Sequence, residues 1–409
     1  MGDLTVDVEP EQVGFDSSRL QQIDRHFKRF VEDGRLPGWL IAVSRAGELA
    51  HVSTYGLRDI ENNLPVETDS LFRIYSMTKP VTSVAAMMLY EQGAFHLKDP
   101  ISKFIPAFAD QKVYVQGPAT SPVTKPAIEP IRIWHLLTHM AGLTYGFHYA
   151  HPTDAIYRHA GFDFGGSELN LAESCDRWAT LPLMFEPGSE WNYSVATDVL
   201  GRIVEVASGT SLDEFFTERI FEPLRMNDTM FSVPESDHGR LAALYVPGAE
   251  RRATRFDAMG DAAKSPPVML SGGGGLVSTA GDYHRFTQML LRGGELDGVR
   301  LLGRKTVDFM TMNHLPGGVD LEGLARPTFA ETSFIGIGFG LGFSVVQNPA
   351  AHKVMSSTGS YGWGGAASTT FWIDPVEEIT AMFFTQLLPS STYDIRGQLE
   401  PLVYQALID

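Results

Sequence analysis

Ser76 and Lys79, in the stretch Ser76-Met77-Thr78-Lys79, are the pair in this sequence whose types and spacing can do chemistry. A lone serine hydroxyl is a weak nucleophile, and an amine that takes or relays its proton makes it a competent one. Residues three apart share a helix face, so hydroxyl and amine can meet. The apolar run over residues 81–92 predicts a helix that Gly93 ends. Pro80 has no amide hydrogen and fits only a first turn, which places the helix start close to Ser76. There, free backbone N–H groups and the positive dipole end favour an anion.

The elements that must position this pair come from both ends of the chain. Apolar residues at helical spacing (Leu20, Ile23, Phe27, Phe30, Val31) predict a helix over 17–31, capped by Ser17 or Ser18. Residues 38–45 and 49–56 read as a hairpin around Ala46-Gly47-Glu48. The last quarter alternates: a strand over 338–346, a turn–strand–turn over 358–375, a strand over 379–385, and a closing helix over 396–407. Short turns between such strands imply an antiparallel sheet. The middle predicts helices at 131–139, 198–209, 211–220 and 282–291.

Three further features invite chemistry. His135 and His139 are four apart, the spacing of a zinc-binding helix, but no Glu follows the first His and no third ligand stands out, so packing is the expected role. Gly272-Gly273-Gly274-Gly275 lacks the residues of either phosphate-cradling motif and reads as close backbone packing beside a site. Aromatics crowd residues 143–172, among them Tyr145, Phe147 and Phe164. That segment is either a loop anchored on itself or a wall over a substrate pocket. No metal and no cofactor is expected.

Composition bounds the partners. The 409 residues are 44% apolar and 20% charged, with a net charge of −17. That balance disfavours nucleic acid and anionic membrane surfaces. Cys175 is the single cysteine, so an intramolecular disulfide is excluded, as suits a reducing compartment. The first residues carry neither a basic nor an apolar stretch, and no run reaches the length of a membrane span, so a cytoplasmic protein is expected.

With Tyr193-Ser194-Val195 and Trp363-Gly364-Gly365, the Ser76 motif completes a series. In that order the three resemble the motifs of the serine β-lactamase and penicillin-binding protein superfamily, most nearly its family VIII carboxylesterases and similar fungal acyltransferases. The resemblance implies an α/β fold with an antiparallel five-stranded sheet flanked by helices, and a cleft against a mostly helical lobe. On that pattern residues 1–90 and 230–409 form the α/β lobe and 91–229 the helical one. It implies Ser76 as acylated nucleophile, Lys79 as proton partner and Tyr193 as general base. The amides of Ser76 and Ala366 would form the oxyanion hole. Trp363, Gly364, Gly365, Val195 and Tyr145 are the expected substrate contacts. Where the superfamily usually has a basic residue and an Asn, this chain has Trp363 and Val195. Both changes favour a small neutral ester over a carboxylate-bearing β-lactam. Unperturbed Tyr and Lys titrate near ~10 and ~10.4, so the two must act as a coupled pair, with the formal base left open. Ester hydrolysis leads; acyl transfer is the alternative, ahead of β-lactam or peptide cleavage and of an inactive ligand-binding relative. The chain contains no G-x-S-x-G elbow, which sets aside an α/β-hydrolase.

Overall fold

The computed structural model describes residues 4–164 and 168–409. Its centre is an antiparallel sheet of eight strands: β1 (Gly38–Arg45), β2 (Glu48–Asp59), β3 (Leu64–Pro65), β4 (Ile337–Phe339), β5 (Ser344–Val346), β6 (Tyr361–Gly365), β7 (Thr369–Asp374) and β8 (Ile379–Phe384). They lie in the order β4-β5-β6-β7-β8-β1-β2-β3. Five are long, as expected, and β3, β4 and β5 are short additions at the edges. The two chain ends meet where β8 pairs with β1, Leu40 opposite Phe384 and Arg45 opposite Ile379.

Period-two alternation assigns the faces of β1. Trp39, Ile41 and Val43 point toward α1 (Ser17–Glu32) and the C-terminal helix, while Leu40 and Ala42 join the larger core around α2 (Thr78–Glu91). Helices on both faces explain why β6, β7 and β8 are buried along their whole length. Asp16, not a serine, caps α1: its Oδ1 accepts from the Arg19 amide at 2.9 Å. The stretch 338–346 is two strands, because Gly342 turns the chain at a φ of +99° and a Cβ there would collide with Ser83. The turn–strand–turn at 358–375 is likewise a hairpin, β6 paired with β7.

Between the sheet segments run α3 (Ile133–Leu137), α4 (Pro152–His159), α5 (Leu171–Ala179), α6 (Ala196–Ser208) and α7 (Ala280–Leu291); α8 (Ile395–Tyr404) closes the chain. Helix α3 stops short of His139, which has a φ of +56°. His135 and His139 therefore share no helix face. His135 Nδ1 instead accepts from the Arg132 amide at 3.0 Å. Among the described residues no helix is long and apolar enough to cross a membrane.

Candidate active site

Ser76 sits in a single 3-10 turn, Tyr75–Met77, that runs directly into α2. Its hydroxyl thus stands at the helix start, with Lys79 one turn on. Tyr75 has a φ of +41°, a left-handed conformation that costs a bulky residue energy and persists only where the surroundings impose it. The surroundings are explicit. Ile74 N donates to Leu276 O (3.0 Å), Leu276 N donates to Thr78 Oγ1 (3.1 Å), and Tyr283 Oη on α7 donates to Met77 O (2.9 Å).

Lys79 is buried. Its Nζ donates to Gly273 O at 2.6 Å and to Ser76 Oγ at 3.3 Å. The loop that presents Gly273 is held by Asp198 of α6, whose Oδ1 accepts from Ser271 Oγ (2.6 Å) and from the Gly273 amide (2.9 Å). A Cβ on Gly272 would lie 3.0 Å from Thr197 O, and one on Gly273 would lie 2.5 Å from Asp198 Oδ2. The glycine run is close packing beside the site. Burial lowers the Lys79 pKa to about 8, against the opposing pull of Asp198 and Glu331.

Tyr193 enters from the segment before α6. Asn192 fixes that segment, donating through Nδ2 to Leu143 O (3.0 Å) and accepting from Thr328 Oγ1 (3.0 Å). The Tyr193 hydroxyl oxygen accepts a hydrogen bond from Trp363 Nε1 at 3.4 Å, and the Ser76 hydroxyl is near enough to pull its pKa down. Lys79 Nζ stands over the Tyr193 ring, 4.5 Å from its centroid. The direct lysine–tyrosine pair expected from sequence is therefore a cluster of three, with Ser76 bonded to Lys79 and set near the Tyr193 hydroxyl. Burial pushes the Tyr193 pKa well up, and Glu331 adds to that; Ser76 and Trp363 pull it back.

The third motif lies on β6, and here the expected contacts change. Trp363 is 1% exposed and packs on Tyr193 and Phe339, each at 5.4 Å between ring centroids. It does not line the cleft, so it offers a substrate no apolar face; it fixes the Tyr193 oxygen from behind. Gly364 and Gly365 do not line the cleft either. A Cβ at 364 would meet Glu331 Oε2 and Thr369 O, both at 3.3 Å, and one at 365 would collide with Thr369 and the Ile74 carbonyl. These glycines admit protein, not substrate. Gly365 lets β6 press against the nucleophile turn, which brings Ala366 to the cleft beside Ser76. Ala366 follows the last β6–β7 pair, Gly365 opposite Thr369.

The cleft is a cavity of about 1010 Å³ with Ser76, Tyr193, Ala366, Val195 and Tyr145 on its wall. Phe147, Phe162, Phe164, Phe231 and Phe329 give the lining much of its apolar surface. Tyr145 stacks on Phe147 at 4.6 Å, and Phe147 meets Phe164 edge-on at 5.2 Å. Of the aromatic segment 143–172, residues 165–167 lie outside the described residues; of the rest, residues 145–147, 160–164 and 168–169 line the cavity.

The profile of the Beta-lactamase family matches residues 23–403. This chain belongs to that family. An uncharacterised protein of Mycobacterium tuberculosis is 38% identical over 90% of each chain. Esterase EstB of Burkholderia gladioli is 28% identical, covering 92% of this chain and 93% of its own. The solved structure of EstCE1, described as a hydrolase with promiscuous acyltransferase activity, superposes with a TM-score of 0.79 at 26% identity. The match covers 98% of this chain and 99% of that one.

Within this family site, two carboxyl groups were not singled out by sequence. Asp198 looked like an ordinary residue of α6, although it anchors the loop that holds Lys79. Glu331 lies in an irregular stretch with no motif, yet its side chain reaches the cavity beside Ser76 and Tyr193. Neither gave a local signal, since their partners are tens to hundreds of residues away.

Proposed function

We propose that the protein is a serine esterase that cleaves neutral carboxylic esters through an acyl-enzyme on Ser76. Ser76 Oγ attacks the ester carbonyl carbon. Its proton passes into the Lys79–Tyr193 group and leaves on the departing alcohol, whose C–O bond breaks. Water then attacks the acyl carbon, gives up a proton to the same group, and releases the acid while Ser76 recovers its hydrogen. Lys79 is the better neutral-pH base of the two, because burial brings its pKa to about 8 while it drives that of Tyr193 upward. The amides of Ser76 and Ala366 receive the oxyanion. One such donor contributes roughly 3–4 kcal/mol to transition-state binding.

The observation that carries this reading is the Lys79–Ser76 hydrogen bond at the head of α2, with Tyr193 under the Lys79 ammonium, opening on a large cavity. The family membership and an esterase among the relatives support it. Acyl transfer to an alcohol is the second reading, favoured by the aromatic lining, which excludes water around a bound acyl-enzyme. Ser76→Ala settles the nucleophile. Hydrolysis of p-nitrophenyl butyrate should fall by at least about three orders of magnitude with the circular dichroism spectrum unchanged. Turnover close to that of the unmodified protein would remove Ser76 from the mechanism. Adding an acceptor alcohol and analysing products separates hydrolase from transferase.

A further inference from the structure

Glu331 is an acidic group on this cavity that ester cleavage as described above does not use. It precedes β4 and lies against β6, where the absence of a side chain at Gly364 makes room for it. Ser390 Oγ donates to its Oε2 at 2.8 Å. Its Oε1 is buried and has no hydrogen-bond partner. Enclosure raises its pKa to about 7, with Lys79 pulling the other way.

The charges around the cavity show what such a group does to a ligand. Lys79 spends two donors on Gly273 and Ser76. Arg73 directs Nη1 and Nη2 at Ala242 O, Gly260 O and Gln386 Oε1. Against these two cations stand Asp198, Glu331, and Asp163 and Glu168 nearer the aromatic wall. A ligand carboxylate therefore meets no free lysine, an arginine whose two terminal nitrogens are committed and whose enclosed Nε alone is unpaired, and the unpaired carboxyl oxygen of Glu331. An uncompensated buried anion is costly, and a second anion beside it raises the cost. A ligand ammonium or N–H group would instead supply the partner that Oε1 lacks.

We infer that Glu331 sets the charge preference of the site: it selects esters whose acyl or alcohol part carries an ammonium or other hydrogen-bond donor, and it rejects esters carrying a carboxylate. The inference rests on the esterase reading for its kinetic test, and replaces Trp363 as the cause of discrimination against carboxylates.

Three p-nitrophenyl esters of similar tail length test it: the butyrate, the 4-guanidinobutyrate and the hydrogen glutarate. In the unmodified protein, kcat/KM for the cationic ester should exceed that for the anionic ester by at least about a hundredfold, and Glu331→Gln should shrink that ratio by at least about tenfold. A ratio that Glu331→Gln leaves within about twofold would overturn the inference, since a merely structural glutamate does not distinguish charge. Calorimetric binding of hexylammonium and hexanoate to the unmodified protein needs neither turnover nor the variant. Tighter binding of the ammonium supports the inference, and equal or tighter binding of hexanoate sinks it. If none of the three esters is cleaved, the esterase reading falls while the calorimetry still decides the charge preference.

Discussion

Lys79 lies against two tyrosines whose rings meet edge-on at 5.3 Å between centroids, Tyr193 buried and Tyr145 partly buried. Its Nζ is 4.5 Å from the ring centroid of Tyr193 and 5.4 Å from that of Tyr145. Burial raises both phenols well above their usual range. They differ in what holds the oxygen. Tyr193 accepts from Trp363 and lies near Ser76, on a floor tied together by backbone and side-chain hydrogen bonds. Tyr145 is held by ring contacts, with Phe147, His148 and Tyr193 itself. Type and burial alone therefore do not single out a tyrosine for the proton transfer proposed above; the oriented oxygen of Tyr193 does. The floor fixes atoms, and the wall fixes only space.

The sharpest break of that contrast is a double-mutant cycle on the floor. Tyr193→Phe and Lys79→Ala should each lower kcat by at least about three orders of magnitude, and the double variant should be little worse than either. Losses that multiply would mean the two residues share no proton path. Trp363→Phe keeps the packing but removes the donor to Tyr193. It should cost about tenfold in kcat, roughly 1.4 kcal/mol, with KM nearly unchanged. A large KM change instead would put the indole back against the substrate.

A pH profile probes the same floor through Lys79, which faces Asp198, Glu331, His139, Tyr145, Tyr193, Ser76 and the Gly273 carbonyl. Acting as a base, it must be neutral, so kcat/KM should rise with pH and level off above about 8. Asp198 holds that pKa up, so Asp198→Asn should move the rising limb to lower pH. A limb that stays put or moves upward would assign it to another group. The smallest effect belongs to the wall. Tyr145→Phe should leave kcat within about twofold, because ring contacts survive the change. A loss like that of Tyr193→Phe would erase the distinction between floor and wall.

Local signals made the frame readable from sequence. The i, i+3 spacing of Ser76 and Lys79 and the position of Pro80 placed the nucleophile at a helix start, and alternating residues placed β1, β2 and β8. Misreadings arose where a distant contact overrides a local pattern. Gly342 breaks an alternating run because Ser83, 259 positions earlier in the chain, fills the space beside it. Trp363 reads as a substrate contact at its motif position, but Tyr193 and Phe339 cover it. Glu331 has no motif at all. Its neighbours Gly364 and Ser390 are 33 and 59 residues on, and only the folded sheet brings them together.

The seam between β8 and β1 also has a consequence for biosynthesis. A ribosome delivers the nucleophile turn and the hairpin β1–β2 early, whereas β8 emerges more than three hundred residues later. Until then β1 is paired on one side only, by β2, and its other edge, where Leu40 and Ala42 will face β8, stays open. Pairings this distant are slow and leave exposed edges prone to aggregation. β6, whose Gly365 presses against the Ser76 turn, also follows that turn by nearly three hundred residues, so the cleft around Ser76 closes only after this late segment has joined β1.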